Sequence, residues 1–65
     1  MNYEVYVNGT LNTASNDAAI AISAMTREIS ELQNTHKEGT HHVEIKLWPE
    51  NQFVRFTVEI GNLEK

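Results

Sequence analysis

His36, His41 and His42 are the chain's only histidines, and they stand close together. Neutral imidazole is a good ligand for zinc or nickel, so this group is the first place to look for metal chemistry. The spacing argues against it. His41 and His42 are adjacent, and neighbouring side chains on a strand point to opposite faces. Chelation by both needs a bulge or a second subunit, with Glu59 placed to join His42 across a strand pair. The expectation is no metal and no cofactor, with His36, His41 and His42 as the residues that would hold a metal if one bound.

Catalytic constellations are also missing from the pattern. Ser15, Ser23 and Ser30 fall on a helical run or at its cap, with no histidine–acid pair at a recognisable spacing. The carboxylates are dispersed, whereas a general acid needs a pocket to shift its pKa. Neither a Walker loop nor Gly-x-Gly-x-x-Gly occurs. A sheet this small also encloses less than the roughly 300 Å³ of an ordinary active-site cleft. The chain therefore reads as a non-enzyme.

A third set suits contact better than chemistry. Tyr6, Trp48 and Phe53 share a strand face with Glu44, Lys46 and Arg55 if the flanking segments are extended. Tryptophan, other aromatics and arginine are frequent anchors of protein interfaces. Tyr6, Glu44, Lys46, Trp48, Phe53 and Arg55 are accordingly the candidate partner-binding residues. An aromatic pair between Trp48 and Phe53 would also have a plain structural use, closing the end of a hairpin. Glu44 with Arg55, and His42 with Glu59, read as cross-strand polar pairs of an ordinary solvated face.

The elements that must position these residues are legible in the periodicity. Tyr3, Val5 and Val7 alternate with Glu4, Tyr6 and Asn8, which predicts a strand over Tyr3–Asn8. Asn8-Gly9 is a turn signal, either opening a short hairpin with 10–13 or ending the strand. A helical run follows from Thr13 to about Asn34. Thr13, Ser15 and Asn16 are its possible caps, and Asp17 sits in its first turn. Ala18, Ile22, Met25, Ile29 and Leu32 form its apolar seam. Gly39 suits a left-handed position after it. Two further strands, His41–Trp48 and Gln52–Ile60, are joined across Pro49-Glu50-Asn51. A loop centred between Glu50 and Asn51 pairs Leu47 with Val54, Ile45 with Phe56, Val43 with Val58 and Trp48 with Phe53.

The fold class expected is α+β. Residues 1–65 make a single β-α-β-β domain, a three-stranded, mostly antiparallel sheet with one helix on one face. The last strand is richest in β-formers and is the expected centre, giving the order 2-3-1. The alternative 3-2-1 makes the first two strands parallel through a right-handed crossover. The expected core combines Val5 and Val7, the seam residues Ile22, Met25, Ile29 and Leu32, and Val43, Ile45 and Leu47. The last strand adds Val54, Phe56, Val58 and Ile60. Phe56→Ala is expected to cost about 3–5 kcal/mol.

Composition narrows the function further. The net charge is −4, with nine acids against five bases, whereas nucleic-acid binders usually carry a basic face. There is no cysteine, so neither a disulfide nor a thiolate metal site is available. No apolar run approaches a membrane span. The Met1-Asn2-Tyr3 start lacks the basic and apolar regions of a signal peptide, and a cytoplasmic placement is expected.

A small sheet covered on one side is marginal alone. The leading expectation is a small acidic protein-interaction module, a homodimer acting as an inhibitor or adaptor by occupying a partner surface. An inhibitor encoded by a phage or mobile element, whose acids mimic nucleic-acid charge, is its extension. The first alternative is a small-ligand or metal binder with a pocket at the dimer seam, built from His36, His41, His42 and the Trp48–Phe53 end. The second is a single-strand nucleic-acid binder stacking bases on the open sheet face.

Overall fold

The structure, a computed structural model, describes residues 1–61. Its elements in chain order are β1 (Asn2–Val7), β2 (Thr10–Ser15), α1 (Ala18–Asn34), β3 (Gly39–Trp48) and β4 (Gln52–Ile60). The strands form one sheet in the order β2-β1-β3-β4, antiparallel at every pairing. The α+β class and the single helix are as expected. The sheet has four strands rather than three.

The added strand comes from the Asn8-Gly9 turn. Both residues are left-handed, with φ of 50° and 84°, as a two-residue hairpin turn of matching twist requires. The chain therefore folds straight back as β2. That strand carries Thr, Asn and Ser around a single large apolar residue, Leu11, and its register shifts between Val5 and Tyr6. A bulge interrupts the alternation that marks a strand. Of the two readings of Asn8-Gly9, it is the short hairpin over 10–13 that forms, extended to Ser15.

β2 changes the topology as well as the strand count. By reversing the chain before the helix, it delivers β3 antiparallel to β1. The favoured order 2-3-1, with the last strand central, is incorrect. β3 lies between β1 and β4, as in the 3-2-1 alternative, but the parallel pairing of that alternative does not form.

The helix starts later than expected because residues 13–15 belong to β2. Asp17 is the cap: its Oδ1 accepts from the Ala19 N–H at 2.9 Å, and its own N–H donates to Ser15 Oγ at 3.0 Å. At the other end the Lys37 N–H reaches back to the Leu32 carbonyl and the His36 N–H to that of Gln33, both at 3.1 Å. This is a Schellman closure with His36, at φ 49°, in the left-handed position. Gly39 is also left-handed, at φ 114°, and opens β3.

The buried face of α1 is rotated from the expected seam. Ala21, Ala24 and Leu32 are buried, Met25 and Ile29 partly so, and Ile22 is 53% exposed. Alanines bring the helix backbone close to the sheet, over Val5 and Val43, which have no exposure at all. Ile45 and His41 complete the buried set. Helix α1 covers β1, β2 and β3 more than β4. Val54 and Phe56 pair with Ile45 and Val43 on the helix side of the sheet, yet they remain 49% and 44% exposed. Their assignment to the core, with that of Ile22, is corrected.

The β3–β4 register is corrected too. Leu47 lies opposite Gln52, Ile45 opposite Val54 and Val43 opposite Phe56, two residues from the expected alignment. A one-residue slip would turn every side chain to the other face. A two-residue slip keeps all of them on their faces, so alternation cannot detect it. The loop decides: it spans residues 49–51 and ends on left-handed Asn51, at φ 57°.

Candidate functional site on the open sheet face

Strand alternation turns Glu4 and Tyr6 of β1, Glu44, Lys46 and Trp48 of β3, and Phe53 and Arg55 of β4 away from the helix. The register sets Glu4 opposite Lys46, Tyr6 opposite Glu44, Lys46 opposite Phe53 and Glu44 opposite Arg55. All six predicted contact residues thus share one face. The predicted Trp48–Phe53 pair does not form: Trp48 stands opposite Asn2, and Phe53 opposite Lys46. This follows from the two-residue register difference.

Two small networks organise the face. Glu4 Oε1 accepts from both the Tyr6 hydroxyl and the Trp48 indole N–H, each at 2.8 Å. Lys46 Nζ lies 4.8 Å from the centre of the Tyr6 ring, within cation–π range. The second network starts from Arg55, whose Nε donates to Glu44 Oε2 at 2.8 Å. The same guanidinium lies 5.9 Å from the Phe53 ring centre. Donation to Glu4, with lesser contributions from desolvation and the Glu4 charge, raises the Tyr6 phenol above its ordinary pKa of 10.0.

Glu4 is the residue that sequence reasoning left out of the site while placing it on this face. Its role depends on β1 lying beside β3, which brings Trp48 within reach, and the expected strand order did not put them together. The face remains accessible: Trp48 is 36% exposed and Phe53 56%. Glu4, Glu44 and Glu59 stand on this face against Lys46 and Arg55, so most of the chain's acid excess lies elsewhere.

The histidines do not converge. His36 Nε2 lies 2.7 Å from the Gly61 carbonyl. His41 is buried, with Nε2 2.8 Å from the Lys37 carbonyl and Nδ1 3.1 Å from Asn8 Nδ2. A carbonyl only accepts, so His41 carries its proton on Nε2 and accepts at Nδ1. His42 turns to the open face, opposite Thr57 and not Glu59. Among the described residues, no group of three or more His, Asp or Glu side chains is placed to hold a metal. Trp48 stands six residues along β3 from His42, about 20 Å at strand spacing. One subunit therefore does not join the histidines to the Trp48–Phe53 end.

A groove of about 430 Å³, larger than expected for so small a sheet, lies between the end of α1 and the β1–β2 turn. Val7, Asn8, Glu31, Leu32 and Lys37 are among its walls. The contact face is elsewhere. No helix among the described residues is long and apolar enough to cross a membrane. No family model matches the sequence, and neither a curated protein nor a solved structure matches it.

Proposed function

We propose that this protein is a non-enzymatic interaction module that uses the open sheet face to occupy a surface on another protein, as an inhibitor or adaptor. The observation that carries this reading is the double hydrogen bond to Glu4. It holds Tyr6 and Trp48 in place while both rings stay on an uncovered face. A pre-ordered aromatic loses little side-chain entropy on binding, and tryptophan, tyrosine and arginine are the usual hot-spot residues. Acids and bases are interspersed on the face, which suits a protein partner with mixed polarity. The homodimer belongs to the same proposal, and a cysteine-free chain suits a reducing cytoplasm.

The test compares capture of partners from a source-cell lysate by the wild-type chain and by Trp48→Ala with Arg55→Glu. Arg27→Glu, on the exposed side of the helix, is the control. Circular dichroism verifies that each variant is folded. A stoichiometric protein retained by wild type and control but lost with the double variant supports the reading. Equal retention by all three, or unfolding on Trp48→Ala alone, overturns the assignment of this face.

A further inference from the structure

We propose that two copies of this chain join through the outer edge of β4, making one continuous antiparallel sheet about a two-fold axis at Thr57. The inference names the surface for the homodimeric part of the reading above. It does not depend on the open face binding a partner.

The two edges of the sheet are unlike. β2 is short, polar and bulged, which are devices that discourage strand addition. β4 runs nine residues without proline, glycine or a register shift. Among the described residues nothing pairs with its outer N–H and C=O groups. Beside that edge, on the helix side, lie Val54 and Phe56, about half exposed because α1 covers them poorly. A bare edge and an apolar strip on one strand invite a partner that supplies both backbone pairing and apolar cover.

The sequence of β4 selects a second copy. With the axis at Thr57, each Arg55 lies opposite the partner's Glu59. Phe56 then meets the partner's Val58, and Val54 the partner's Ile60. Every apolar pair falls on the helix side and every charged pair on the open side. Arg55 engages Glu44 through Nε alone, which leaves its terminal amino groups for the partner's Glu59. An axis at Arg55 would instead oppose two arginines, and an axis at Phe56 would set Glu59 against Phe53. Like charges directly opposite are unfavourable and opposite charges favourable. Arg55 and Glu59 also cancel within the strand, so two chains of net charge −4 meet at a neutral edge.

The absence of native cysteine makes the test clean. In directly opposed antiparallel residues the Cα atoms are about 4.5–5.5 Å apart, inside the range a disulfide bridges. Sedimentation of the full chain at about 100 µM should give twice the 7.4 kDa chain mass. Oxidised Thr57→Cys should become a covalent dimer, and Leu11→Cys on the β2 edge should not. Glu59→Arg should weaken association about tenfold or more, since it opposes two arginine pairs. Trp48→Ala should leave the mass unchanged, which separates this proposal from that for the open face. A monomer at every concentration overturns the inference. So does a dimer that Thr57→Cys fails to lock, and a monomer whose β4 edge is instead protected by an added extended peptide.

Discussion

Asn8 and His41 hold each other across the sheet end: Asn8 Nδ2 lies 3.1 Å from His41 Nδ1. The same asparagine accepts from the His42 N–H through Oδ1 at 2.9 Å, and its own N–H donates to the His42 carbonyl at 2.7 Å. His41 continues the chain of bonds to the Lys37 carbonyl. One left-handed turn residue thus ties the β1–β2 hairpin to the start of β3 and to the loop after the helix. It does so through a histidine that stands among the core residues.

Removing either partner should leave a polar group without its bond at the edge of the core. Asn8→Ala and His41→Ala should each lower stability by about 1–3 kcal/mol. Because they share one bond, the double variant should cost less than the sum, with a coupling of about 0.5 kcal/mol or more. Urea denaturation of the four proteins measures this. Strict additivity would show that the contact is absent in solution. Asn8→Gly separates the bonds from the backbone, since glycine tolerates the positive φ.

Glu4→Gln should bring the Tyr6 pKa down toward 10. In the folded protein the neutral phenol donates to Glu4, and ionisation would forfeit that bond beside a like charge. The raised folded value means that the stabilisation is present in full below the ordinary tyrosine pKa. It fades as pH rises through the higher one. NMR titration of the tyrosine ring carbons in both proteins is the measurement, and coincident Tyr6 curves would contradict the bond.

Phe56→Ala should be mild in the dilute monomer, about 2 kcal/mol or less, because the ring is nearly half exposed. Leu32→Ala, inside the buried cluster, should cost about 2–5 kcal/mol. Thermal denaturation at low concentration ranks them. A Phe56 variant less stable than the Leu32 variant would mean that the ring is covered, by the helix or by a second chain. Repeating the measurement at high concentration distinguishes those cases, since only association makes the loss concentration-dependent.

Alternation alone sufficed to sort Tyr6, Glu44, Lys46, Trp48, Phe53 and Arg55 onto one side, because the side-chain period of a strand is local and survives any even shift of register. The helix, the last two strands and the Asn8-Gly9 turn were legible for the same reason: each is written in neighbouring residues. Strand order, the exposure of Val54 and Phe56, and the meeting of Trp48 with Glu4 were not. They depend on β2, whose polar and bulged sequence carries little periodic signal, and on a helix whose alanines, rather than Ile22, face the sheet. Those are choices between distant segments competing for the same apolar contacts, and only the packed chain resolves them.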